Sequence, residues 1–241
     1  MKRLIILCAC IVVSAGILAG CSGGLDADVS TVKVDKKGRI TGLTVESFEK
    51  DYYSKEDLES FITEQVENYI AQNPDSKVEV KDISVEDQTA KVMVEYAGCE
   101  EYASFNEADF YAGTVVQARA AGYRFDADFY AADSAKAEED EKETQTESET
   151  SDTGTENADA ANAGTESGAA AKKTSDISSI LNEDGYKAVV TNERVNIKVD
   201  GEILYVSDPT AVLVSSDTIE LPADETKAEG MHKTSVYIIY K

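Results

Sequence analysis

The alternation of apolar and polar positions predicts regular structure from residue 31 onward. Thr31–Asp35 alternates, Lys37-Gly38 reads as a turn, and Ile40, Leu43, Val45 and Phe48 carry a second strand. Ser54-Lys55-Glu56-Asp57 has the form of a capping box with Asp in place of Glu. Behind it Leu58, Phe61, Ile62, Gln65, Val66, Tyr69 and Ile70 recur at helical spacing until Asn73-Pro74 stops the run. Lys77–Val85 and Thr89–Tyr96 read as a hairpin around Glu86-Asp87-Gln88, with Val78, Val80, Ile83 and Val85 facing Ala90, Val92, Val94 and Tyr96. Ser104-Phe105-Asn106-Glu107 is a full capping-box pattern. Ala108, Tyr111, Ala112, Val115 and Ala118 then share one helical face, which Gly122 is placed to end. Residues 31–125 are therefore expected as ββαββα.

From Ala131 to Asp176 the chain holds no Ile, Leu, Val, Met, Phe, Tyr or Trp. Such a stretch buries too little apolar surface to offset its ordering entropy, so 133–175 is expected as a disordered acidic insertion. Strand patterns resume at Lys187–Val190, Val195–Val199, Ile203–Val206, Ala211–Val214, Thr218–Leu221 and Thr234–Tyr240. Asp200-Gly201 reads as a hairpin turn between two of them. The expected fold class is α+β, a mixed or antiparallel sheet with two helices and a strand-rich C-terminal part. A sheet of about 65 residues is marginal on its own. The expectation is thus one domain over 31–241, against the alternative of two, 31–131 and 177–241.

The N-terminus follows another logic. Lys2 and Arg3 precede an apolar run of fifteen residues, Leu4 to Leu18, and then Ala19, Gly20 and Cys21. A helix of fifteen residues spans about 22 Å, short of the roughly 30 Å hydrocarbon core, so residues 1–20 read as an export signal. Leu18-Ala19-Gly20-Cys21 resembles the lipobox of bacterial lipoproteins. That resemblance implies a diacylglyceryl group on the Cys21 thiol, cleavage just before it, and attachment to the extracytoplasmic face of the cell membrane. At about 0.8 kcal/mol per methylene, acyl chains of the palmitate class give anchoring on the order of 20 kcal/mol. Residues 21–30 then read as a tether. Of the four cysteines, Cys8 and Cys10 leave with the signal and Cys21 is acylated; Cys99 has no partner for a disulfide and reads as a small packed residue.

Composition narrows the function. The 241 residues carry 23 Lys+Arg against 47 Asp+Glu, a net charge of −24. A polyanion repels phosphate backbones, which excludes nucleic acid as a partner, and it is not drawn to anionic lipid. The single histidine, His232, excludes two-histidine metal sites, and no Gly-x-Ser-x-Gly elbow or phosphate-cradling glycine loop is present. Asp26/Asp28 and Asp126/Asp128 alternate without continuing into a calcium loop. No catalytic residue, metal ligand or cofactor is therefore assigned, and no enzymatic activity is expected.

Nine of the eighteen Phe and Tyr fall between residues 96 and 130. Tyr102, Tyr111, Tyr123 and Tyr130 are the candidate binding residues, since tyrosine joins apolar area to a polar tip; the competing reading packs them into the core. The expected function is a non-enzymatic binding or interaction module of the envelope, with an envelope protein or peptide as partner. A small-solute or cation-binding lipoprotein and a carboxylate-dependent envelope hydrolase are the alternatives. On the strand-rich ending Tyr237-Ile238-Ile239-Tyr240-Lys241, the body resembles small lipoproteins of clostridial gut bacteria, a resemblance that carries no activity with it.

Overall fold

The structure is a computed structural model that describes residues 25–135, 174–223 and 234–241. The signal segment, Cys21, His232 and residues 136–173 of the acidic insertion lie outside the described residues.

The first two strands, β1 (Thr31–Val34) and β2 (Ile40–Ser47), pair antiparallel across a turn in which Gly38 takes a positive φ of 83°. Helix α1 (Lys55–Gln72) starts where Ser54 Oγ accepts from the Asp57 N–H at 3.0 Å, and it ends at Asn73. Strands β3 (Val78–Glu86) and β4 (Thr89–Tyr96) form the expected hairpin. Its two turn residues, Asp87 and Gln88, both have positive φ, at 47° and 62°. That is the backbone twist a two-residue hairpin turn prefers. Val78, Val80, Ile83 and Val85 stand opposite Tyr96, Val94, Val92 and Ala90. The break in their spacing is absorbed by a bulge at Lys81, so both halves of β3 keep their apolar residues on one face.

The next stretch departs from expectation. Helix α2 runs over Cys99–Asn106, β5 over Phe110–Thr114 and α3 over Val115–Ala120. The Ser104–Glu107 pattern therefore opens no helix; Glu107 ends α2 in the left-handed region with φ 53°. The functioning capping box is Thr114 with Gln117: Thr114 Oγ1 accepts from the Gln117 N–H at 3.1 Å, and Gln117 Oε1 accepts from the Thr114 N–H at 3.1 Å. Ala108, Tyr111 and Ala112, grouped by sequence on a helical face, lie before or within β5 instead. Gly122, φ 99°, does follow α3.

Strand β6 (Phe129–Ala131) leads into a 3-10 turn, and β7 (Thr174–Ser175) resumes the chain beside it. Phe129 pairs with Ser175 and Tyr130 with Thr174, so the two ends of the insertion meet in one ladder. Six further strands follow: β8 (Lys187–Thr191), β9 (Asn196–Val199), β10 (Ile203–Val206), β11 (Val212–Ser215), β12 (Thr218–Glu220) and β13 (Val236–Tyr240).

These strands make two sheets and an α+β fold with three helices among the described residues. One sheet has the order β11-β12-β9-β1-β2-β4-β3 and the other β5-β8-β13-β10-β6-β7. Strands β1 and β9 run parallel, and the remaining pairs are antiparallel. Each sheet draws strands from both sides of the insertion. Asp200-Gly201 consequently joins no hairpin: β9 lies in the seven-stranded sheet and β10 in the six-stranded one, so the turn carries the chain between sheets. Here Gly201 is required by space, since a Cβ would stand 2.6 Å from the Lys241 carbonyl oxygen.

The principal core lies between the sheets. Ile219, Ile197, Val32, Gly42, Val94 and Val80 stand in register across the seven-stranded sheet. Phe110, Val189, Val206 and Ile238 belong to the same buried cluster from the other sheet. A smaller cluster of Val115, Phe129, Ile177, Ile180, Ala188 and Ile239 covers the outer face of the six-stranded sheet.

The tether expected over 21–30 is already docked from residue 25. Leu25 is buried, Ser30 Oγ accepts from the Val45 N–H at 2.9 Å, and the Lys91 ammonium donates to the Ala27 carbonyl and the Asp28 carboxylate, both at 2.9 Å. Among the described residues, no helix is long and apolar enough to cross a membrane.

Candidate functional site

The four candidate tyrosines fall in three environments. Tyr102, on α2, is a core residue and offers no contact surface. Its ring packs on Gly42, where a Cβ would meet Tyr102 Cε2 at 3.4 Å, and stands 5.1 Å from the Tyr96 ring and 4.7 Å from Phe110. Its hydroxyl donates to Glu193 Oε2 at 2.9 Å. Burial pushes its pKa well above the usual phenol value, and the Glu193 carboxylate pushes it further. Tyr130 is half-buried on β6 opposite Val206, and strand alternation turns it away from the face that Phe129 occupies.

Tyr111 and Tyr123 do come together. Tyr111 stands on β5 and Tyr123 follows α3, their ring centroids 4.9 Å apart, and both are half-buried. Burial raises both phenol pKa values. The Tyr111 hydroxyl lies over Gly113, where any Cβ would stand 2.5 Å from it. Glycine two positions on thus lets the ring lie along its own strand. Through Val190, which pairs with both, Tyr111 shares a sheet face with Tyr237 of β13. Phe125 packs edge-on to Tyr237 at 5.1 Å and stacks with Phe129 at 6.2 Å. The chain after α3 therefore lays Tyr123 and Phe125 across the outer face of the six-stranded sheet, which makes an aromatic ledge.

Beside this ledge runs an open groove of about 400 Å³, lined among others by Phe125, Asp126, Asp128, Phe129, Asp176 and Leu181. The Ser178 backbone N–H donates to Asp176 Oδ1 at 2.9 Å and holds that carboxyl below its ordinary range. The groove adjoins both points where the acidic insertion leaves and rejoins the sheet. Aromatic rings with carboxylates at their margin suit a ligand that joins apolar and basic groups. Sequence reasoning named the tyrosines and missed the role of Phe125, Phe129 and Tyr237. The alternation Phe125-Asp126-Ala127-Asp128-Phe129 was the available signal.

Other chemistry is sparse. Cys99 is half-buried at the start of α2, its thiol 3.6 Å from the Ala112 carbonyl oxygen. A second groove, about 550 Å³, opens by Arg39, Lys77, Glu79 and Tyr96, but the Arg39 guanidinium is engaged by Asp35 at 2.8 Å and Glu95 at 3.4 Å. Among the described residues, no group of three or more His, Cys, Asp or Glu is placed to hold a metal ion. Compared with family models, with curated proteins and with solved structures, the chain matches none.

Proposed function

We propose that this chain is a lipoprotein held at the extracytoplasmic face of a bacterial cell membrane through Cys21, and that its two-sheet body is a non-enzymatic module binding an envelope protein or peptide. The observation that carries the reading is Leu18-Ala19-Gly20-Cys21 at the end of the apolar run, with the chain docked on the sheet from Leu25, four positions later. The ledge of Tyr111, Tyr123 and Phe125 supports the binding half. A net charge of −24 favours a partner segment that is basic and carries an apolar side chain.

Crosslinking in cells tests it. The anchored chain should capture one abundant partner, Cys21→Ala should lose it, and Tyr123→Ala with Phe125→Ala should lose it while the chain stays in the membrane fraction. Capture unaffected by the ledge substitutions contradicts the assignment of the site. Capture of a small solute is a second reading, favoured by the volume of the groove, which falls in the range of small-molecule sites. A ligand-dependent rise in Tm abolished by Phe125→Ala would select it.

A further inference from the structure

We propose that the corner formed by Phe48, Tyr52 and Tyr53 is a second membrane contact, seated in the headgroup region of the bilayer that Cys21 anchors to. The proposal rests on the lipid-anchor reading above.

The corner is a built aromatic cluster on the surface. Phe48 and Tyr53 have ring centroids 4.9 Å apart, Tyr52 and Tyr53 meet edge-on at 4.9 Å, and Tyr52 is 75% exposed. It is placed by the end of β2, where the Phe48 N–H donates to the Gln88 carbonyl in the β3–β4 turn. The N-terminal segment docks at the same end of the same sheet. Lys91, which binds Ala27 and Asp28, pairs with Val45, three residues before Phe48 and three after Gln88. At about 3.3 Å per residue the two contacts are roughly 10 Å apart.

The chain beyond this point fixes the occupant. Only residues 22–24 separate Leu25 from Cys21, and even fully extended they place the acylated thiol within about 14 Å of Leu25. A bilayer holding Cys21 is therefore held against this end of the seven-stranded sheet. Tyrosine and phenylalanine favour the membrane interface, where the ring meets acyl chains and the phenol meets headgroups. Three rings bind a bilayer weakly by themselves, but the anchor converts their insertion into an intramolecular step at high effective concentration. Glu46, Glu49 and Asp51 flank the cluster, so the contact favours zwitterionic lipid over anionic lipid.

The chain has no tryptophan, so Tyr52→Trp gives a single-site reporter. The full-length lipidated protein is placed in phosphatidylcholine vesicles containing shallow-brominated lipid, purified by flotation, and read by indole emission. The Tyr52→Trp reporter should shift to the blue and be quenched at least twofold, and less so in phosphatidylglycerol-rich vesicles. Val214→Trp, an exposed position on the far edge strand of that sheet, should be unquenched. A chain that floats with the Tyr52→Trp indole still in water, or with both reporters equally quenched, overturns this proposal alone. A chain that does not float overturns the anchor reading and this proposal with it.

Discussion

The Tyr102 hydroxyl donates to the Glu193 carboxylate at 2.9 Å across 91 positions of sequence, which ties helix α2 to the segment between β8 and β9. The bond joins the chain before the acidic insertion to the chain after it. It does so beneath a ring cluster that includes Tyr96, Phe110 and the face of Gly42. Tyr102→Phe keeps the ring and leaves Glu193 without this donor. A hydrogen bond to a charged acceptor contributes about 1.5–3 kcal/mol. Urea unfolding should show a loss of that order with an unchanged m-value.

The same burial makes alkaline stability a prediction. Burial pushes Tyr96 and Tyr240 up to about 12, and it also holds Tyr102 well above the ordinary phenol value. The folded state thus holds phenolic protons that the unfolded chain releases near pH 10. The stabilisation is complete below about pH 10 and is lost as pH rises from there through the folded-state values. Phenolate absorbance should reveal a late class of tyrosines that appears together with loss of far-UV structure. Their titration at about pH 10 in a folded chain would contradict the packing.

Arg194 and Asp208 form an ion pair at 3.0 Å, with side chains 10% and 13% exposed. Asp208 also accepts from the Thr210 backbone N–H and hydroxyl, whereas Arg194 Nε is buried with no hydrogen-bond partner among the described residues. Removing one member strands a buried charge. Asp208→Ala should cost about 3–5 kcal/mol, and the double variant Arg194→Met with Asp208→Ala should recover part of that loss. Thermal and urea unfolding of the three chains measures both.

Gly201 lies under the C-terminal end of β13, where Glu202 and Lys241 exchange backbone hydrogen bonds at 2.8 and 3.0 Å. A Cβ at 201 would meet the Lys241 carbonyl carbon and oxygen, both of them backbone. Gly201→Ala should cost about 1–3 kcal/mol, as overpacking does elsewhere. Deleting Lys241 from that variant should reduce the penalty.

How far the sequence showed this fold depends on which forces were local. Helix α1, the β3–β4 hairpin and the six late strands follow from caps, turns and apolar spacing within a few residues. The α2–β5–α3 stretch does not. Tyr111, Ala112 and Val115 fit helical spacing, yet β8 and the inter-sheet core select an extended β5 for the first two, with Phe110 buried at its start. Asp200-Gly201 has turn chemistry suited to a hairpin, and only the long-range pairing of β9 with β1 sends the chain to the other sheet. The ledge was half legible. The density of aromatics in that region pointed to it, but Tyr102 and Tyr111 are indistinguishable in sequence, and only the packing of α2 on Gly42 buries the first.

If Cys21 is the mature N-terminus and carries the lipid, the N-terminal peptide of membrane-extracted protein must show it, and its mass is the most direct test. The expected result is a peptide starting at Cys21 with a diacylglyceryl addition, absent from a Cys21→Ala strain. An unmodified Cys21, or a peptide that still contains Leu18-Ala19-Gly20, would contradict the lipid anchor and everything that rests on it.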